Sequence, residues 1–234
     1  MNVVIIIAGG VGSRMGTNTP KQFIEVKGKH ILTYTCESFQ KNPLIDIIEV
    51  VCIEGWENVV LDYIQKYNIT KLRWVVKGGA TCQESIRNGV YNLIGKIDSN
   101  DNVIIHDGIR PLVDDSVIND LINKCNKFGN AITSMPYNEQ IFIMDDEIST
   151  INYIPRETLR RVATPQCYKF NLLVQKYKEA FDKKIGIYGS AYTNTMMVEL
   201  GVRLYFAKGS DRNIKLTTPG DLEIFKAMLE KKND

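Results

Sequence analysis

The sequence predicts a doubly wound α/β fold, with a mostly parallel sheet covered by helices on both faces and a protruding β-hairpin arm. Three observations predict it. Short β-branched apolar runs alternate with amphipathic stretches of helix length; the first run empties into a glycine-rich loop; and the alternation breaks once, shortly after residue 136. Val3–Ala8 reads as a buried strand, and Ile31–Gln40 as the helix that follows the loop. Ile47–Ile53 is the next strand, Trp56–Tyr67 a helix, Leu72–Val76 a strand, Gln83–Ile94 a helix and Asn102–His106 a strand. Strands this apolar, separated by helices, belong in a sheet buried on both faces. Asp115–Phe128 continues as a helix and Ala131–Met135 as a strand. Gln140–Met144 and Ile148–Ile154 then read as two strands joined at Asp145-Asp146, out of step with the α/β rhythm. Val162–Tyr168, helices at Asn171–Phe181 and Thr193–Leu200, strand Arg203–Ala207 and a last helix Pro219–Lys231 complete the chain. Pro219 and Asp221 sit in the first turn of that helix, where both are favoured.

At 234 residues and 44% hydrophobic, the chain suffices for one domain, taken as 1–234 with the arm at about 136–156. An excursion of this kind commonly packs on another subunit, so a homodimer is expected. A net charge of +2 carries no nucleic-acid footprint. The N-terminal apolar run is too short for a signal peptide, and no segment approaches the roughly 18 apolar residues of a membrane span. A cytoplasmic protein without membrane contact is therefore expected. Cys36, Cys52, Cys82, Cys125 and Cys167 are odd in number and lack a C-x-x-C pair, as for unpaired thiols in a reducing compartment.

The stretch AGGVGSRMGTNTPKQF, residues 8–23, follows the first strand. In an open α/β sheet that is where a phosphate cradle belongs. It is not the dinucleotide loop G-x-G-x-x-G, because the third glycine position holds Met15. It is not a P-loop either, because Lys21 follows Pro20 and precedes Gln22. What remains is backbone at Ala8, Gly9, Gly10 and Gly12 open to phosphates, with Arg14 and Lys21 supplying charge.

A-G-G-x-G-x-R-M-G followed by P-K-Q resembles the signature of the cytidylyltransferases that join CTP to a small polyol phosphate. The resemblance continues through Gly78-Gly79 to Gly89, His106-Asp107 to Arg110-Pro111, Arg156 with Thr164-Pro165-Gln166, and Asn213-Ile214-Lys215. It implies a Rossmann-like nucleotidyltransferase with two substrates, CTP and a polyol phosphate. Such chemistry holds an α-phosphate in line between two anionic groups, so positioning and positive charge carry it. By resemblance Arg14, Lys21 and Lys215 are catalytic, and Ala8, Gly9, Gly10, Gly12, Gly79, Ser85 and Asp107 bind CTP, with loop backbone and the Ser85 hydroxyl meeting base and ribose. Gln140, Arg156 and Lys215 bind the acceptor, the first two reaching it from the arm of the other subunit. Asp107 follows the strand Val103–Ile105, and a carboxylate beside a triphosphate calls for a cation, so Asp107 is the expected Mg²⁺ ligand.

Other residues keep two readings. Arg110 is either functional or a structural ion-pair partner, His106 is read as structural, and Arg160 and Arg161 as surface or interface charges. Several positions depart from the family: Cys82 stands where arginine is usual, Gly108 and Ile109 replace two alanines, and Glu139, Gln140, Phe142 and Asn194 alter the acceptor pattern. Ala8-Gly9-Gly10 and Lys215-Leu216-Thr217-Thr218-Pro219 resemble the ribitol 5-phosphate branch more than the 2-C-methyl-D-erythritol 4-phosphate branch of isoprenoid synthesis. D-Ribitol 5-phosphate, a precursor unit of wall and capsule polymers, is the expected acceptor, with 2-C-methyl-D-erythritol 4-phosphate as the alternative. Two further classes stay open: a catalytically silent CTP-binding regulatory subunit, and an NAD-dependent oxidoreductase, which Met15 opposes.

Overall fold

The computed structural model describes residues 1–10, 19–189 and 192–230. Its strands are β1 (Asn2–Ala8), β2 (Glu25–Val26), β3 (Lys29–His30), β4 (Ile47–Cys52), β5 (Leu72–Lys77), β6 (Asn102–Asp107), β7 (Asn130–Pro136), β8 (Ile141–Ile143), β9 (Asn152–Ile154), β10 (Arg160–Lys169) and β11 (Phe206–Lys208). The helices are α1 (Ile31–Lys41), α2 (Glu57–Lys66), α3 (Cys82–Asn92), α4 (Asp115–Phe128), α5 (Phe170–Lys183), α6 (Thr193–Glu199) and α7 (Pro219–Glu230). Seven strands form one sheet in the order β11-β7-β10-β6-β1-β4-β5. β6, β1, β4 and β5 pair in parallel, as do β7 and β11, and β10 runs antiparallel to both its neighbours.

Alternation along β1 explains why the first strand has no polar face. Val4, Ile6 and Ala8 enter a core shared with α1, α2 and α4, whereas Val3 and Ile5 enter one shared with α3, α5 and α6. β4 carries a charged exception to that apolar pattern. Glu49, in the middle of β4, is fully buried, and its Oε2 accepts a hydrogen bond from Asn92 Nδ2 at 2.6 Å. A third cluster packs α7 through Phe225 and Leu216 against Ile31, Ile109 and Leu112.

Among the differences from the sequence reading, three have a clear local cause. The strand expected at Arg203–Ala207 is ordered as a ladder only from Phe206, because the Asn130 side chain takes the earlier backbone groups: its Nδ2 donates to Arg203 O (3.0 Å) and its Oδ1 accepts from Tyr205 N (3.3 Å). In the arm, β8 and β9 are three residues each. The Asp146 carboxylate accepts from the amides of Ile148 and Ser149, and that of Asp145 from Ile151, so residues between the strands form a loop rather than a tight turn. The small hairpin β2–β3 was not expected; its turn residues Lys27 and Gly28 have φ of 50° and 74°, the pair of positive angles that a two-residue hairpin turn demands.

β1 connects to β4 on one side and β5 returns to β6 on the other, so the strand order reverses between β1 and β6. Ligands in open α/β sheets bind at the carboxyl ends of the strands beside such a reversal.

Candidate active site

A cavity of about 650 Å³ opens at that point. Its lining includes Ala8, Gly9 and Gly10 at the end of β1, Lys21 and Gln22, Lys77 to Thr81 at the end of β5, Cys82 and Ser85 on α3, Asp107 and Ile109 at the end of β6, and Lys215. The structure thus gathers expected site residues that lie more than 200 positions apart in sequence. Gly12 and Arg14 lie outside the described residues.

The glycine loop is held from behind. Gln22, 1% exposed, donates through Nε2 to Ala8 O at 2.7 Å and to Gly10 O at 3.0 Å, fixing the strand end and the loop with one side chain. The glycines themselves are needed for close approach: a Cβ on Gly9 would stand 3.1 Å from Ser85 Oγ, and one on Gly78 3.2 Å from both Cys52 O and Ser85 Oγ. α3 begins on a reciprocal cap, with Glu84 N donating to Thr81 Oγ1 and Thr81 N to Glu84 Oε2, both at 3.1 Å. Ser85 Oγ accepts from Gly79 N–H (3.0 Å) and donates to Thr81 O (2.9 Å), so this hydroxyl fixes the loop that faces the cavity. Cys82 lines the cavity as a thiol whose pKa burial pushes up, so no positive charge enters here.

On the other wall, Asp107 ends β6 opposite Ile7. Its Oδ2 accepts from Arg110 Nε at 2.9 Å and lies 3.2 Å from Lys215 Nζ. Burial opposes ionisation of this carboxyl, but the Lys215 and Arg110 cations outweigh burial and hold its pKa well below the usual carboxylate range. Arg110 is a structural partner here: besides Asp107 it donates through Nη1 to the Asn213 carbonyl at 2.8 Å. Asn213 Nδ2 donates to Thr164 O (2.7 Å), Thr164 Oγ1 accepts from Asp107 N–H (3.0 Å), and Leu216 N donates to Ile109 O (3.0 Å). Three segments distant in sequence are stitched so that Lys215 lies against Asp107. Gly108 is sterically required, since a Cβ there would meet Ile7 O at 2.9 Å.

His106 is fully buried, with Nε2 3.0 Å from Arg110 O. Burial pushes its pKa down to about 4, which agrees with a neutral structural imidazole. Arg161 pairs with Asp211 at 2.6 Å on the surface. Gln140 and Arg156 are not part of this cavity; both are exposed, and Arg156 pairs with its neighbour Glu157 at 3.6 Å. Gln22, Thr164 and Asn213 were not singled out from the sequence. Only the P-K-Q, T-P-Q and N-I-K strings around them signalled a role.

A glycine-lined cavity at the strand-order reversal, with lysines on both walls and a neutralised carboxylate between them, defines a nucleotide-binding α/β enzyme. The chain matches, over residues 2–231, the family described as IspD, 2-C-methyl-D-erythritol 4-phosphate cytidylyltransferase. It is 55% identical over 232 residues to a ribitol-5-phosphate cytidylyltransferase of Lacticaseibacillus paracasei, covering 99% of each chain. It is 38% identical over 233 residues to a 2-C-methyl-D-erythritol 4-phosphate cytidylyltransferase of Clostridium acetobutylicum, covering 99% of this chain and 98% of the other. A solved 4-diphosphocytidyl-2C-methyl-D-erythritol synthase from Anaerococcus prevotii superposes with a TM-score of 0.82 at 24% identity over 98% of this chain and 96% of the other, and shares the fold. The protein belongs to the IspD family of cytidylyltransferases and is a CTP-using nucleotidyltransferase.

Proposed function

We propose that the chain transfers the cytidylyl group of CTP to D-ribitol 5-phosphate, giving CDP-ribitol and pyrophosphate. A phosphate oxygen of the acceptor forms the new bond to the α-phosphorus as the bond to the β-phosphate oxygen breaks. The observation that carries the acceptor is the 55% identity, over essentially the whole of both chains, to a protein named for ribitol 5-phosphate, against 38% for one named for methylerythritol phosphate.

The geometry supports a division of labour. Gly9, Gly10 and Gly79 offer backbone to the nucleotide, with Ser85 holding the Gly79 end; Lys21 and Arg14 neutralise the triphosphate and the charge that builds at the α-phosphate. Lys215, locked to Asp107, faces the acceptor phosphate. Among the described lining residues, Lys21, Lys77 and Lys215 stand against Glu54 and Asp107, one positive charge in excess. That falls short of a triphosphate, which supports Arg14 and a divalent cation as the remaining counter-charge. No cluster of three or more metal-ligating side chains is present among the described residues, and Mg²⁺ does not require one. Both cationic contacts of Asp107 fall on Oδ2, so Oδ1 carries neither ion pair and is the carboxylate oxygen suited to a hard cation. Bound there, Mg²⁺ would neutralise and orient phosphate oxygens.

A homodimer is part of the proposal. The arm exposes Phe142, Met144, Ile148 and Tyr153, with Ile148 at 96%, an apolar surface that argues for a partner. Gln140 and Arg156 on one arm would then complete the acceptor pocket of the other subunit. The five free thiols support a reducing, cytoplasmic setting, and no described helix is long and apolar enough to cross a membrane.

The test incubates the protein with CTP, Mg²⁺ and a panel of phosphorylated polyols, following pyrophosphate release and the mass of the product. CDP-ribitol formed at the highest kcat/KM supports the proposal. Preference for methylerythritol phosphate assigns the isoprenoid reaction instead, and CTP binding without turnover of any acceptor assigns a regulatory subunit.

A further inference from the structure

Starting beside the cavity-lining Cys82, a buried polar chain that the proposed chemistry does not use links α3, α5 and α6. Tyr177 on α5 is fully buried, and its hydroxyl lies 3.0 Å from Gln83 Oε1 and 2.8 Å from Thr193 Oγ1. Gln83 and Thr193 are each 2% exposed. The donors can be ordered without conflict: Thr193 donates to Tyr177, Tyr177 to the Gln83 carbonyl, and Gln83 Nε2 to Gly186 O at 2.8 Å. Gly186, at φ 62°, lies so close to α6 that a Cβ would meet Met196 Cα at 2.7 Å. The start of α6 is thereby pinned to the second residue of α3, next to Cys82 in the nucleotide cavity. Tyr192, the residue before α6, donates its N–H to Thr195 Oγ1 at 2.9 Å, and its ring centre lies 5.7 Å from Lys215 Nζ.

We propose that Tyr192 is a positioning residue for the acceptor side, its ring face holding the Lys215 ammonium in place, and that the Gln83–Tyr177–Thr193 chain sets the ring's position from the nucleotide-binding helix. An ammonium over an aromatic face is attracted by the ring quadrupole, an interaction that phenylalanine reproduces and leucine does not. Lys215 then has two restraints at right chemistry for a cation, the Asp107 carboxylate and the Tyr192 ring, and a phosphate that approaches meets an ammonium already placed. The inference rests on the reading of Lys215 as an acceptor-phosphate ligand.

Steady-state kinetics of Tyr192→Phe, Tyr192→Leu, Tyr177→Phe and Lys215→Ala, with CTP and the best acceptor varied in turn, tests both layers. Tyr192→Leu is expected to raise the acceptor KM roughly twofold to tenfold, as loss of an exposed to partly desolvated cation–ring contact should, with the CTP KM unchanged. Tyr192→Phe is expected to match wild type. Tyr177→Phe is expected to move the acceptor KM in the same direction, and the Tyr177→Phe/Tyr192→Leu double variant to be no worse than Tyr192→Leu alone, because both act through one placement. Tyr192 is half exposed, so its leucine variant remains a valid test even where Tyr177→Phe folds poorly. An unchanged acceptor KM in Tyr192→Leu, an equal rise in the CTP KM, or failure of phenylalanine to rescue overturns the positioning role. Additive losses in the double variant overturn the link through Tyr177. If Lys215→Ala itself leaves acceptor KM and kcat at wild-type values, the reading of Lys215 falls, and the inference with it.

Discussion

Replacing Glu49 by glutamine should stabilise the protein above neutral pH and leave it nearly unchanged in mild acid. The Glu49 carboxyl sits on the α3 face of the sheet with Ile5 and Val51, and a Cβ on Gly89 would meet its Oε1 at 2.9 Å. Oε2 accepts from Asn92, but Oε1 has no partner among the described residues. Lys96, bonded to Asn92 Oδ1 at 2.6 Å and stacked over Trp74, is the charged group near it. Burial pushes the Glu49 pKa up to about 7 from 4.5, against the weaker pull of Asn92 and Lys96. The sign follows directly: between these two values the folded protein keeps a proton that the unfolded chain has lost, so stability is full below the unfolded value and drains as pH rises through about 7. At 1.36 kcal/mol per unit, the loss levels off near roughly 3 kcal/mol. Glutamine mimics the protonated acid and removes the dependence. Urea unfolding of both proteins at about pH 4 and about pH 8 measures it, with the variant's advantage appearing only at the higher pH. An equal difference at both pH values would refute a buried, proton-holding Glu49.

Gly89→Ala should destabilise by about 1–3 kcal/mol in the same unfolding assay, because the new methyl would lie under 3.0 Å from Val51, Glu49 and Ile5 at once; a neutral effect would mean that α3 sits further from the sheet. Asp107→Asn should raise the Mg²⁺ concentration needed for half-maximal activity, since one negative oxygen donor is lost, and a titration that overlays the wild type's would remove Asp107 from the ligand set. Lys21→Ala, expected to lower turnover roughly a hundredfold, and Arg156→Ala should each be nearly inactive alone yet regain part of the activity when mixed under subunit exchange, because one composite site of the mixed dimer carries neither lesion. Mixed dimers that form, by mass analysis, and stay inactive would place Arg156 in its own subunit's site.

The parts of the fold legible in the sequence are those that a single periodicity decides. Val3–Ala8, Ile47–Ile53 and Asn102–His106 are apolar at every or nearly every position because each alternate residue enters a different core, and the structure places them side by side as β1, β4 and β6. Direction is another matter. β10 is as strand-like in composition as its neighbours, yet it runs against them, since the chain returns to it from the arm rather than through a crossover helix. The arm and the strand at Arg203–Ala207 came out shorter for one shared reason: Asp145, Asp146 and Asn130 offer side-chain partners to backbone groups that the pattern assigns to ladders.

In the site, the charged residues were legible and what holds them was not. Asp107 could be picked out as a carboxylate at a strand end, and Lys21 and Lys215 because the P-K-Q and N-I-K strings that hold them resemble cytidylyltransferase motifs. Gln22, Thr164, Asn213 and Tyr177 carry no charge, and in sequence nothing separates them from ordinary polar residues. Their roles exist only once the chain is folded, when Gln22 spans two carbonyls of the glycine loop and Thr164 and Asn213 tie the Asp107 strand end to the segment that bears Lys215. The two halves of the cavity are built differently as a result. The nucleotide half rests on the ends of parallel strands and one capped helix, so its shape is set by the sheet. The Lys215 side, proposed for the acceptor, hangs on side-chain bonds among loops beside the antiparallel β10, so single substitutions there should reshape it without disturbing the sheet. On the proposed reading, in which Lys215 meets the acceptor phosphate, acceptor choice should respond more to substitutions at Thr164 and Asn213, which tie the Lys215 segment to the Asp107 strand end, than to substitutions in the glycine loop.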